Sequence, residues 1–126
     1  MLKNTDIKFF QKNGYLIKKS KYLESINYLQ SKVFNLVIKN NKNLFKYKKS
    51  NRIEFFQSLH KHINKRELND IRLSIVNGIN SDDQFYKAYY KSAAEILDGL
   101  VGNEIAMQKK INISVQDPND KKSMTP

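Results

Sequence analysis

Apolar and polar residues alternate strictly in one stretch near the end of the chain. From Ile105 to Val115 the odd positions run Ile, Met, Lys, Ile, Ile, Val, and from Ala106 to Gln116 the even positions run Ala, Gln, Lys, Asn, Ser, Gln. A strand sends successive side chains to opposite faces, so this spacing predicts a β-strand with one mostly apolar and one polar face, Lys109 being the one charge on the apolar side. Asp117-Pro118-Asn119-Asp120 follows with residues that favour a turn. A single strand is not stable without partners, and the upstream pattern offers few. The expectation is an α+β, mostly helical chain: a small α+β unit, or the front end of a larger β domain.

Upstream, the apolar positions recur at helical steps. Asn4 or Thr5 can cap a short helix through Asn13, carrying Ile7, Phe9 and Phe10, and Gly14 stands where a left-handed residue ends it. Tyr15-Leu16-Ile17 reads as a short extended run. Ser20 is placed to cap a long helix whose stripe is Tyr22, Ile26, Leu29, Val33 and Val37, widened by Leu23 and Phe34. Ser50 or Asn51 caps a helix with Ile53, Phe56, Leu59 and Ile63. Asn64 starts another through about Asn77, with Leu68, Ile71, Ile75 and Val76 inside and Gly78 closing it. Ser81 then caps a last helix with Asp82 and Asp83 in its first turn and Phe85, Tyr89, Ile96 and Leu97 on its apolar side.

Composition changes this picture in three ways. The 126 residues suffice for one domain, which would bury roughly two thirds of its unfolded surface. The absence of Cys removes disulfides and thiolate chemistry. No segment approaches the roughly 18 apolar residues of a membrane span, and the N-terminus lacks an apolar leader core, so a soluble, cytoplasmic protein without membrane contact is expected.

The formal net charge of +11 invites a nucleic-acid reading. Yet the chain has only three Arg among its 23 basic residues, and its wealth of Lys, Asn and Ile is what AT-rich coding produces. Phosphate readers favour the bidentate Arg fork, so nucleic acid is not the expected partner on charge alone. The positive charge is densest between Glu24 and Glu54, where no acidic residue occurs. There Phe45 and Tyr47 interleave with Lys42, Lys46, Lys48 and Lys49, as in many single-strand binders. Asn40, Asn41 and Asn43 mark a loop, and the expected reading is a solvated loop whose aromatics dock back on the core; the alternative is a basic, mostly helical binding module whose residues 39–52 contact nucleic acid or another polyanion.

Candidate chemistry is sparse. His60 and His62 are two apart and point to different sides of a helix, so they cannot chelate one metal there. Asp82 and Asp83 are explained by helix capping. No phosphate-cradling Gly loop or Ser-His-Asp arrangement is present. The residues by themselves make no catalytic site and no metal site.

The block Gly102-Asn103-Glu104-Ile105-Ala106-Met107-Gln108-Lys109-Lys110-Ile111-Asn112-Ile113-Ser114-Val115-Gln116, followed by Pro118-Asn119-Asp120, resembles a segment of known enzymes. It is similar to the stretch just before the iron-binding motif of the 2-oxoglutarate/Fe(II) oxygenases of sporadic carbohydrate-biosynthesis clusters, relatives of the phytanoyl-CoA dioxygenases. Leu59-His60-Lys61-His62-Ile63, Glu67-Leu68-Asn69-Asp70-Ile71-Arg72, Ala88-Tyr89-Tyr90 and the Phe9-Phe10 to Gly14-Tyr15 opening resemble the helical front of that family.

The resemblance implies a helical N-terminal region over 1–104, a first long strand of a double-stranded β-helix barrel over 105–117, and a truncated tail over 118–126. It implies Fe(II) and 2-oxoglutarate as cofactors of the full-length family, a carbohydrate-type small-molecule substrate, and a missing C-terminal barrel half as partner. Gln108, Asn112, Ser114 and Gln116 would then face the cofactor-binding cavity, while Ile111, Ile113 and Val115 would pack beneath the helices. The family holds iron with a His-x-Asp/Glu motif and a distant second His. The motif is expected shortly after the Pro-Asn-Asp turn, and the chain reaches Ser123-Met124-Thr125-Pro126 without it. By itself, then, the chain is expected to bind neither cofactor and to be catalytically incompetent.

Overall fold

A computed structural model of the chain describes residues 2–102 and 106–114. Every regular element among the described residues is helical: α1 (Asn4–Asn13), α2 (Leu23–Asn40), α3 (Arg52–Ser58), α4 (Lys65–Asn80) and α5 (Asp83–Val101). Short 3-10 turns at Lys42–Tyr47 and Leu59–Lys61 flank α3. Helix α2 is central and packs against both α4 and α5.

The core follows from which apolar stripes meet on α2. Helix α4 contributes Ile71, Ile75 and Ile79, spaced by four and all buried, which is the stripe a helix presents to one neighbour. Helix α2 contributes Phe34, Val37 and Ile38, and α5 contributes Phe85. These buried apolar positions of α2 all lie in its C-terminal half, so only part of the expected stripe is fully covered. Leu29 and Val33 are only half-buried, and Leu23 is exposed. Leu44, Phe55 and Leu59 close the core from the α2–α3 side, with Phe34 and Phe55 edge-to-face at 5.2 Å between centroids.

Helix boundaries are set by local polar chemistry. The Asn51 side chain accepts from the N–H groups of Ile53 and Glu54 at the start of α3. Asn64 and Glu67 form a reciprocal capping box at α4, at 2.9 and 2.8 Å. Gly14 ends α1 in the left-handed conformation, φ 75°. Three expected helix starts move. Helix α1 starts after Lys3, whose N–H donates to Asp6. Ser20 does not cap α2; its hydroxyl accepts from Tyr22 N–H and donates to the Ser92 carbonyl on α5. The cap of α5 is Asp82 rather than Ser81, and Ser81 donates to the Gly78 carbonyl instead.

Gly78 and Gly99 lie inside helices rather than ending them. A Cβ on Gly78 would sit 2.5 Å from the end of the Leu36 side chain, so the missing side chain lets α4 approach α2. The segment joining α1 to α2, with Tyr15-Leu16-Ile17, forms no regular element, and Ile17 is exposed. Lys18 ties this segment to Asp6 at 2.7 Å, and Lys21 pairs with Glu95 of α5. The Lys18 ammonium holds the Asp6 carboxyl below its ordinary value, and Lys21 does the same to Glu95.

The described part of the expected late strand over 105–117, residues 106–114, forms no strand, and the α+β assignment gives way to an all-helical one for the described residues. Residues 106–114 carry no regular secondary structure; 103–105 and 115–126 lie outside the described residues. The physical reason is the absence of a partner. A ladder needs a second extended backbone edge, and the described upstream residues supply helices and turns. The alternation nevertheless governs how the segment lies. Met107, Ile111 and Ile113 are half-buried, with Ile111 and Ile113 packed on the core, while Gln108, Asn112 and Ser114 are exposed. Lys109, on the odd side, is exposed as its charge requires.

Candidate binding groove

Helices α2, α3 and α4 do not close on one another completely. Between them runs an open groove of about 440 Å³, walled by Leu29 and Val33 of α2, Phe56 of α3, Ile71 and Ile75 of α4, and Ile113 at one edge. Gln30 and Ser114 are its polar lining residues. Such a groove gains affinity by excluding water from apolar walls. Among the described residues no titratable side chain lines it, and its walls suit apolar groups.

One side chain fixes the segment that edges this groove. Asn80, the last residue of α4, donates from its amide to the Ile111 carbonyl at 2.9 Å and accepts from the Ile111 N–H at 2.8 Å. It makes the two bonds that a neighbouring strand would make to a paired residue. The same amide also donates to the Val76 carbonyl at 2.8 Å, which holds its orientation. No sequence signal singled out Asn80, because a polar residue at a helix end has many ordinary uses. Asn80→Ala is expected to release the segment, with the Ile111 amide exchanging with solvent at least tenfold faster and the core amides of α4 little changed. Hydrogen exchange resolved by residue measures this; unchanged Ile111 exchange would mean that the packing of Ile111 and Ile113 alone holds the segment.

Of the four residues expected to face a cofactor cavity, three lie among the described residues. Gln108 and Asn112 are exposed on the outward side, Ser114 is exposed at the rim of the groove, and Gln116 lies outside the described residues. The two histidines also stay apart in role. His62 is exposed, its ring 4.7 Å from that of Tyr47, with the Tyr47 hydroxyl 3.3 Å from Nδ1. His60 is half-buried in the 3-10 turn after α3. Among the described residues no group of three or more His, Cys, Asp or Glu could hold a metal ion.

The strongest electrostatic cluster joins α2 to α5 away from the groove. Asp82 accepts from the Tyr28 hydroxyl at 2.9 Å, pairs with Lys32 at 2.5 Å, and caps α5 through the N–H groups of Gln84 and Phe85. The Lys32 ammonium is the main cause holding the Asp82 carboxyl down to about 2. Burial, and then the bond to Asp82, push the Tyr28 phenol up. The cluster ties α2 to the start of α5 through Asp82 Oδ2 and caps α5 through Asp82 Oδ1, a structural role.

No helix among the described residues is long and apolar enough to cross a membrane. No protein-family model, no characterised protein and no solved structure matches the chain.

Proposed function

We propose that this chain is the helical front part of a 2-oxoglutarate- and Fe(II)-dependent oxygenase of carbohydrate biosynthesis, acting in the cytoplasm and not competent for catalysis alone. The observation that supports the reading is the seating of residues 106–114, part of the block that resembles those enzymes. Its apolar positions Ile111 and Ile113 pack on the helical body, its polar positions Asn112 and Ser114 turn away, and Asn80 fixes it there. A helical layer in front of an oxygenase barrel would cover apolar side chains from one side and leave the polar side to the reaction space. The open groove beside Ile113 is then the place where the remaining half of the enzyme meets the helices.

The described residues do not fit an iron site. A facial triad needs two His and a carboxylate converging with open positions. His62 is engaged with Tyr47, and neither His60 nor His62 has a carboxylate two places on. Iron, 2-oxoglutarate and the hydroxylated carbohydrate would be held by residues other than the described ones.

The test is to sequence the coding DNA through and past the codon for Pro126. The expected result is a frame, continuous or resumed after one shift, that encodes His-x-Asp or His-x-Glu and a later His. The polypeptide it encodes should then release succinate from 2-oxoglutarate when given Fe(II). The absence of such a frame on this and the neighbouring DNA would overturn the reading.

A further inference from the structure

The turn between α2 and α3 has no part in the oxygenase reading, and its geometry points elsewhere. Leu44 is buried at 1% exposure and anchors the 3-10 turn Lys42–Tyr47 on the core. This anchoring leaves the next residue outside. Phe45 is 59% exposed instead of docking back as the sequence pattern suggests. In a 3-10 helix side chains three apart eclipse one another, and the Lys48 ammonium accordingly lies 5.5 Å from the centre of the Phe45 ring. Lys46 stands 5.1 Å from the ring centre of Tyr47, whose other neighbours are Phe55 and His62. Lys46, Lys48 and Lys49 are exposed and form no ion pair with any described carboxylate. Lys42 differs in sharing a hollow with the carboxylates of Glu67 and Asp70.

We infer that this turn is a binding platform for single-stranded nucleic acid. Phe45 offers a ring on which a base stacks, and Lys46, Lys48 and Lys49 take the flanking phosphates. Sequence-tolerant single-strand binding combines exposed aromatic rings on which bases stack with cations that follow the backbone; an exposed ring and three exposed lysines occur within the five consecutive residues 45–49. A duplex would use the lysines but has no unstacked base to lay on Phe45. The partner is thus specified by chemistry as a single strand, RNA or DNA. This inference is independent of the oxygenase reading: the latter stands or falls on the coding frame, and this one on binding.

The experiment uses the whole chain with fluorescein-labelled oligo-dT and oligo-U of about 15 nucleotides, and a mixed-sequence duplex of the same length, read by fluorescence anisotropy. Tight binding of either single strand supports the inference, and the tighter of the two names the natural source. With three phosphates engaged, the logarithm of the binding constant should fall with the logarithm of salt at a slope of about −2. Phe45→Ala should weaken single-strand binding about tenfold with the slope unchanged. The triple change Lys46→Gln, Lys48→Gln, Lys49→Gln should bring the slope close to zero. All four side chains are exposed, so an unchanged circular dichroism spectrum is expected of each variant. No single-strand binding up to about 100 µM at about 50 mM KCl would overturn the inference. So would binding of the duplex as tight as that of the strands with no effect of Phe45→Ala, which would be adsorption by net charge alone.

Discussion

Phe55→Ala is expected to take away most of the chain's folding stability. Phe55 is 2% exposed on a helix of only seven residues. Its ring meets Phe34 of α2 at 5.2 Å, Phe56 at 5.5 Å and Tyr47 at 5.7 Å between centroids. Removing it leaves a cavity that this short helix cannot close without giving up its register on α2. A buried Phe→Ala change costs about 3–5 kcal/mol, against about 5–15 kcal/mol for a whole domain. Urea unfolding followed by helical circular dichroism should therefore show a midpoint shifted far toward zero urea, or a chain already unfolded. Phe55→Leu should recover more than half of the loss. Ile53→Ala, on the same helix at 63% exposure, should lie within about 0.5 kcal/mol of the parent. Equal effects of the two alanine changes would mean that α3 is not held by Phe55.

That contrast also shows where the sequence was legible and where it was not. The periodic spacing indicates a helix near 52–63, but two overlapping stripes run through it: Ile53, Phe56, Leu59, Ile63 and Phe55, Leu59. A short helix can bury either. Phe34 and Tyr47, distant in sequence, settle the choice in favour of Phe55 and leave Ile53 in water. Caps made by a residue and its next few neighbours, such as Asn51 and Asn64, were readable because they are local. Ser81 and Asp82 are both good caps, and the choice of Asp82 depends on Lys32 and Tyr28, fifty residues upstream. Gly78 reads as a helix end in the sequence because a glycine's close approach is defined by the side chain it admits, here Leu36.

The same distinction separates the two halves of the strand expectation. Which side chains point inward is a property of the segment, and Ile111 and Ile113 do pack on the core. Being a strand is a property of a pair, and in place of a partner strand there is one asparagine side chain. The groove was invisible for a related reason. Its walls come from three helices, and none of its lining residues is unusual on its own helix.

Asp82→Ala is expected to be the most damaging change of a polar residue in the described chain, at about 3 kcal/mol. It removes a cap worth about 0.5–2 kcal/mol, the ion pair with Lys32, and the acceptor of the Tyr28 hydroxyl. The last loss leaves a half-buried phenol without its partner. Asp82→Asn separates these contributions, because the amide oxygen keeps the cap while the charge is gone. The carboxyl lies at about 2 in the folded protein against 3.8 for a free side chain, so the folded state favours the ionised form. Its stabilisation is complete above about pH 4 and is lost as the pH falls through 2, with an upper bound of about 2 kcal/mol. Thermal unfolding of the parent and of Asp82→Asn between about pH 2 and pH 6 tests this. The parent should lead by several degrees at the upper end, and the two should converge at the lower end as the carboxyl takes up its proton. Parallel curves across that range would mean that the pair with Lys32 adds nothing to the junction of α2 and α5, and that Asp82 serves only as a cap.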